Sequence, residues 1–226
     1  MDNILSFPTS TIVSKPVPKN AFYGRSDDSS LREFLTREFE GIVWLYKLAP
    51  ATLNVEDGEY VHEIDLFYCR MKENEYSIKP FCAMDELLPR HTVFLIEYGG
   101  KFDLLMHHKE ISFVHGEQKW KCGVSELKRD IRIEVNTLNI QGQSMDAVYN
   151  GLLSQISGLS ASTREEYKEQ VDVRKQIESI QKQIMTLQKR IKAEKQFNRK
   201  MELNTEVRQL RKEMTLLTEK LKKNNI

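Results

Sequence analysis

The last quarter of the chain, from Ser162 to Lys223, sets the narrowest limits on what it can fold into. Val173, Ile177, Ile180, Ile184, Leu187 and Ile191 recur at steps of three and four among Lys, Arg, Glu and Gln, which predicts a helix with one thin apolar seam. The stretch contains neither Pro nor Gly. An isolated helix gains most of its stability by burying its apolar face, so this seam has to press on another surface, in cis or in trans.

A second stripe follows: Leu203, Val207, Leu210, Met214, Leu217 and Leu221. Val207 lies sixteen residues after Ile191, which at about 100° per residue is roughly 160° round a straight helix. The two stripes cannot share a face, and neither a single stutter nor a single stammer produces that phase change. A break is expected between Gln196 and Asn204, with Asn204 as the N-cap of a new helix before Thr205-Glu206-Val207. Two arrangements fit: a bent coiled-coil arm showing opposite faces to two partners, or an antiparallel helical hairpin closed through this turn. The hairpin is the preferred reading.

Charge is divided unevenly. The chain holds 34 Lys and Arg against 33 Asp and Glu, but from Ala161 onward there are 17 basic and 10 acidic residues, which leaves 17 against 23 in the first 160. An acidic body with a basic arm points to contact with a polyanion or with an acidic protein partner. Lys189, Arg190, Lys192, Lys195, Arg199 and Lys200 flank the expected break and are the candidate nucleic-acid contacts. Ile177, Ile180, Ile184, Leu187, Ile191, Val207, Leu210, Met214 and Leu217 are the candidate partner-binding residues.

Upstream, the pattern changes repeatedly. Residues 1–28, with Pro8, Pro16 and Pro18, read as an extended lead-in. Residues 29–160 read as an α+β domain, a mostly antiparallel sheet with covering helices, and 161–226 as the helical arm. Ser29-Ser30 precede the helical spacing of Leu31, Phe34, Leu35 and Phe39, which Gly41 ends. Strands are expected over Ile42–Leu48, Tyr60–Met71, Thr92–Tyr98, Lys101–His108, Ile111–His115, Gln118–Cys122 and Ile131–Val135. Gly99-Gly100 between two apolar runs is a strong hairpin signal. A short element spans Ala83–Leu88 before Pro89, and Met145, Val148, Leu152, Ile156 and Leu159 mark a further helix that Gly158 hinges to the arm.

Lys47 sits at the end of one apolar strand, and Glu63 and Asp65 occupy the same face of the next. Two carboxylates and a lysine are what a metal-dependent phosphodiesterase uses, but the usual order of acid, then acid-x-lysine, is absent. A structural ion pair or a solvated sheet face is the preferred reading of these residues, a divergent nuclease the alternative. His107 and His108 are adjacent and would point to opposite faces of a strand, and no Cys-His zinc spacing, phosphate-binding glycine loop or nucleophile motif is found. No metal or cofactor is expected. Cys69, Cys82 and Cys122 cannot all pair and form no CxxC, so free thiols in a reducing, cytoplasmic setting are expected. The first ten residues lack a signal peptide's features, and no run approaches a membrane span.

Three strings carry a resemblance: Trp44-Leu45-Tyr46-Lys47-Leu48-Ala49-Pro50-Ala51-Thr52-Leu53-Asn54 with Glu63-Ile64-Asp65-Leu66-Phe67, Pro89-Arg90-His91-Thr92-Val93-Phe94, and Glu194-Lys195-Gln196-Phe197-Asn198-Arg199-Lys200-Met201-Glu202-Leu203-Asn204. Together they resemble a bacterial and archaeal family of unknown function encoded beside superfamily-2 helicases and DNA methyltransferases, in loci similar to type III restriction-modification and antiviral defence systems. The resemblance spans nearly the whole chain and brings no catalytic residues with it. It implies a non-catalytic accessory subunit that binds a helicase or methyltransferase partner, or another copy of itself, through its C-terminal helices. The alternatives are a nucleic-acid-binding module using the basic arm and the nuclease.

Overall fold

The computed structural model describes residues 3–24, 29–114, 117–133, 138–159 and 164–223. It divides into two compact units, Met1–Gly158 and Leu159–Ile226. The first is built on one six-stranded sheet whose spatial order follows the chain: β1 (Ile12–Pro16), β2 (Phe39–Leu48), β3 (Ile64–Met71), β4 (His91–Tyr98), β5 (Lys101–Val114) and β6 (Glu117–Lys128). All neighbouring strands run antiparallel except β3 and β4, which are parallel. The fold class is α+β with a mostly antiparallel sheet, as expected.

The parallel pair departs from the all-hairpin reading, and its physical basis lies in burial. From Ile64 to Cys69 on β3, and from His91 to Ile96 on β4, every residue is buried. A strand covered on both faces loses the polar alternation of a hairpin strand and suits a parallel pairing joined by a helical crossover. Here the crossover holds α4 (Lys79–Glu86). On one face, Phe81 and Met84 of α4 meet Leu31, Phe34 and Leu35 of α2 (Ser29–Glu38) over Phe39, Phe67, Phe94 and Leu105 of the sheet. Phe81 contacts Phe94 edge-on, and both ring pairs, Phe39–Phe81 and Phe81–Phe94, have centroids 5.2 Å apart. The opposite side chains, among them Leu66, Val93, Leu95, Leu104 and Met106, are equally enclosed.

Several element boundaries differ from expectation. Strand β3 begins at Ile64, not Tyr60, because the Asp146 carboxylate accepts hydrogen bonds from the backbone N–H groups of Glu59, Tyr60 and Val61 and bends them off the strand line. Helix α2 ends at Glu38, so Phe39 opens β2 and Gly41 lies inside that strand. The lead-in carries β1, an edge strand that tolerates Pro16, and ahead of it Leu5 and Phe7 are buried against β2, with the Phe7 and Tyr46 rings 5.0 Å apart and Leu5 N–H donating to the Tyr46 hydroxyl. Past β6, Asp130 takes a left-handed φ of 54° and bonds back to the Asp103 carboxylate. The chain therefore turns, and Ile131 to Ile133 form no strand; Glu134 and Val135 lie outside the described residues.

Other readings hold. Gly99 and Gly100, at φ 53° and 76°, close the β4–β5 hairpin as a primed turn requires. Ser144 caps α5 (Met145–Ser157) by accepting from Ala147 N–H, and left-handed Gly158 ends it. Among the described residues, no helix is long and apolar enough to cross a membrane.

In the second unit, α6 (Arg164–Ala193) and α7 (Phe197–Lys223) fold back on each other. Ile180, Ile184 and Leu187 pack on Leu203 and Val207, flanked by Ile191, Leu210, Met214 and Leu217. The break comes earlier than expected, at residues 194–196, and Asn204 sits inside α7 with its amide bonded to the Lys200 carbonyl instead of capping a helix. The turn needs no Gly or Pro because the Glu194 carboxylate accepts from the N–H groups of Lys195 and Gln196, 2.8 and 2.9 Å away. Once the helix is broken there, the two out-of-phase stripes become facing surfaces. Placing a charge in that seam, as in Val207→Glu, is expected to remove most of the hairpin's helical signal in far-UV circular dichroism while the sheet unit keeps its cooperative melt.

Candidate functional site

Three groups of polar side chains stand out, and the first is the one anticipated from Lys47, Glu63 and Asp65. Lys47 pairs across the strands with Asp65, and the Lys47 ammonium lies 2.7 Å from the Glu63 carboxylate just before β3. The structure adds Arg90, which enters from the start of β4 at 3.0 Å from Glu63 and 3.6 Å from Asp65. Two acids are thus answered by two bases, and the arginine occupies the ground between the carboxylates that a metal ion would need. The arrangement is a salt-bridged cluster at one end of the parallel pair. Arg90 was missed because only a parallel β3–β4 pairing brings the beginnings of both strands together.

Asp65 is the strained member. It is 5% exposed, and its Oδ1 has no hydrogen-bond partner. Burial, aided by the Glu63 charge and only partly offset by Arg90, pushes its carboxyl up to about 6.

The second group lies on the hairpin. A groove of about 510 Å³ runs between α6 and α7, with Met185, Ile191 and Val207 along its floor and Lys189, Lys192, Arg208 and Arg211 around it. No acid lines it. Of the six basic residues singled out from sequence, Lys189 and Lys192 reach this groove. Arg190, Lys195, Arg199 and Lys200 are not part of its lining, and Arg199 is paired with Glu202 at 2.5 Å. The apolar residues expected to meet a partner are for the most part used in cis: Ile180, Ile184, Leu187 and Val207 are buried in the hairpin seam, and Ile177 is half-buried. Among the described residues, Met185, Phe197, Met201 and Leu216 are the large apolar side chains left exposed on this unit.

The third group was not anticipated. Lys109 on β5 is 2% exposed and its ammonium donates to Asp85 Oδ1 at 2.9 Å and to the carbonyls of Asp85, Leu88 and Arg90 at 2.7, 2.8 and 2.5 Å. His107 Nδ1 lies 2.9 Å from the other Asp85 oxygen. Asp85 and His107 are wholly enclosed. A cation at the last carbonyls of α4 satisfies groups that the helix leaves open and suits its dipole.

Beside this network, toward the surface, stand Cys82 and Glu86 of α4 and Cys122 of β6. Cys122 reaches this face through a bulge: His107 pairs with Ser125 but Lys109 with Cys122, so Gly123 and Val124 together oppose His108. The extra residue flips the alternation and turns the Cys122 side chain toward α4. A side chain at position 123 would press on the His108 carbonyl at 3.2 Å, which suits glycine there.

A six-stranded α+β unit followed by a helical hairpin is the class these observations define. The chain belongs to the family described as a domain of unknown function, DUF4391, whose family model matches residues 5–214. No curated protein and no solved structure matches it.

Two outcomes follow from the buried charges. Because the folded-state value of Asp65 lies above its ordinary 3.8, its unfavourable contribution is absent below about pH 4, grows through pH 6 and is then constant. Asp65→Asn is therefore expected to raise the unfolding free energy measured in urea at pH 8, by at most about 3 kcal/mol, and to leave it unchanged at pH 4. Lys109→Met strands a buried carboxylate and three carbonyls, so it should cost about 3–5 kcal/mol in the same measurement.

Proposed function

We propose that this protein is a non-catalytic binding subunit of a DNA-processing assembly, and that its hairpin groove receives an acidic, amphipathic segment of a protein partner. The observation that carries this reading is the groove itself: four cations around three apolar side chains, with no acid in the lining. A phosphate backbone would use the cations but has nothing to place on exposed Met185 and half-buried Ile191. A helix or extended segment with alternating acidic and apolar side chains uses both, the cations steering approach and the floor supplying burial. The family resemblance of the sequence supports a helicase or DNA methyltransferase subunit as that partner, in restriction-like or antiviral defence loci.

A second reading, direct nucleic-acid binding, draws on Arg190, Lys195 and Lys200, which are exposed near the hairpin turn and outside the groove lining. The two readings separate by salt and by residue. Co-expression of the full chain with the neighbouring helicase and methyltransferase is expected to yield a complex, and Lys189→Glu/Arg211→Glu is expected to weaken it at least tenfold. Undiminished co-purification overturns the proposal. DNA affinity that falls steeply with salt and with charge reversal at Arg190, Lys195 and Lys200 establishes the second reading in its place.

A further inference from the structure

The sulfur and carboxylate side chains beside α4 form a group that neither the fold nor the hairpin explains. Cys82 and Glu86 sit one helical turn apart on α4, so their side chains rise on the same face. The bulge at Gly123-Val124 delivers Cys122 to that face from the edge strand. One donor atom from each of the three lies within 4.8 Å of the other two. Cys82 Sγ is 3.8 Å from Glu86 Oε1, and Cys122 Sγ is 3.5 Å from the Cys82 carbonyl. Zinc bonds of about 2.3 Å to sulfur and 2.0–2.2 Å to carboxylate set tetrahedral ligand atoms about 3.6–3.8 Å apart. The three side chains need only small rotations to meet that geometry.

We propose that Cys82, Glu86 and Cys122 bind a thiophilic divalent cation, zinc in the first instance, with solvent at the fourth position. Two thiolates exclude magnesium and calcium as preferred occupants, and a site of three protein ligands keeps one position open. Each thiol releases its proton to solvent as the metal binds. Glu86 is exposed and the cysteines are half-buried, so the ion has a path in. Behind the three ligands, Asp85 and His107 also converge on the Cys122 sulfur within 4.8 Å. Asp85 is fixed by Lys109, and His107 Nε2 is buried with no hydrogen-bond partner. They give the site a rigid polar wall, the support that ligand geometry depends on. Sequence spacing hides all of this, since Cys82 and Cys122 are far apart in the chain and meet only through a helix and a bulged strand.

The test uses the full chain, purified under reductant, stripped with chelator and titrated with zinc or cobalt(II). One metal per chain is expected, with a thiolate-to-cobalt charge-transfer band and with Cys82 and Cys122 protected from alkylation in the zinc-loaded protein. Cys82→Ser/Cys122→Ser should lose the band and the stoichiometric metal, and Glu86→Gln should bind more weakly. Absence of stoichiometric metal in the folded wild-type chain overturns the proposal, as does equal retention by the double variant or a cobalt spectrum without thiolate character. If the double variant fails to fold, the wild-type spectrum and alkylation pattern decide.

Discussion

The sheet unit is held in its working shape by one buried ammonium. Lys109 reaches from β5 to the end of α4 and to the carbonyls of Leu88 and Arg90 that lead into β4. With four oxygen acceptors and a carboxylate countercharge, it is a buried charge whose desolvation is answered on every side. Trp120 closes over it at 5.1 Å. The consequence reaches both polar groups of the sheet unit. The same bond set fixes α4, which carries Cys82 and Glu86, and the backbone of Arg90, whose side chain bridges Glu63 and Asp65.

How much of this was legible depended on sequence separation. The Gly99-Gly100 turn, the periodic helix from Met145 and the two apolar stripes of the tail are local patterns, and each appears where periodicity or turn chemistry places it. Some of the boundaries that slipped were set from a distance. Asp146 holds the backbone of Glu59, Tyr60 and Val61 ahead of β3, and nothing near Tyr60 announces it. The parallel pairing of β3 and β4 was equally hidden, because a strand enclosed on both faces shows an unbroken apolar run that does not state the direction of its neighbour.

The same distinction divides the sites. Lys47 could be matched to Glu63 and Asp65 because adjacent strands place them, whereas Arg90 required the parallel pairing to be known. Cys122 was a free thiol in the sequence, and only Gly123 hinted that its strand carries a bulge. On the hairpin, the thin seam does press on a surface, and that surface is the chain's own. Under the proposed function, contact with a partner falls to the cations around the groove and to exposed Met185 instead of to the seam.

Strand order in the sheet is strand order in the chain. During synthesis, each strand from β2 onward emerges to find its neighbour already made and its edge still open, so the sheet can grow by accretion from one side with no strand waiting for a later one to be inserted beside it. Even the parallel step keeps this logic, since α4 leaves the ribosome between the two strands it joins.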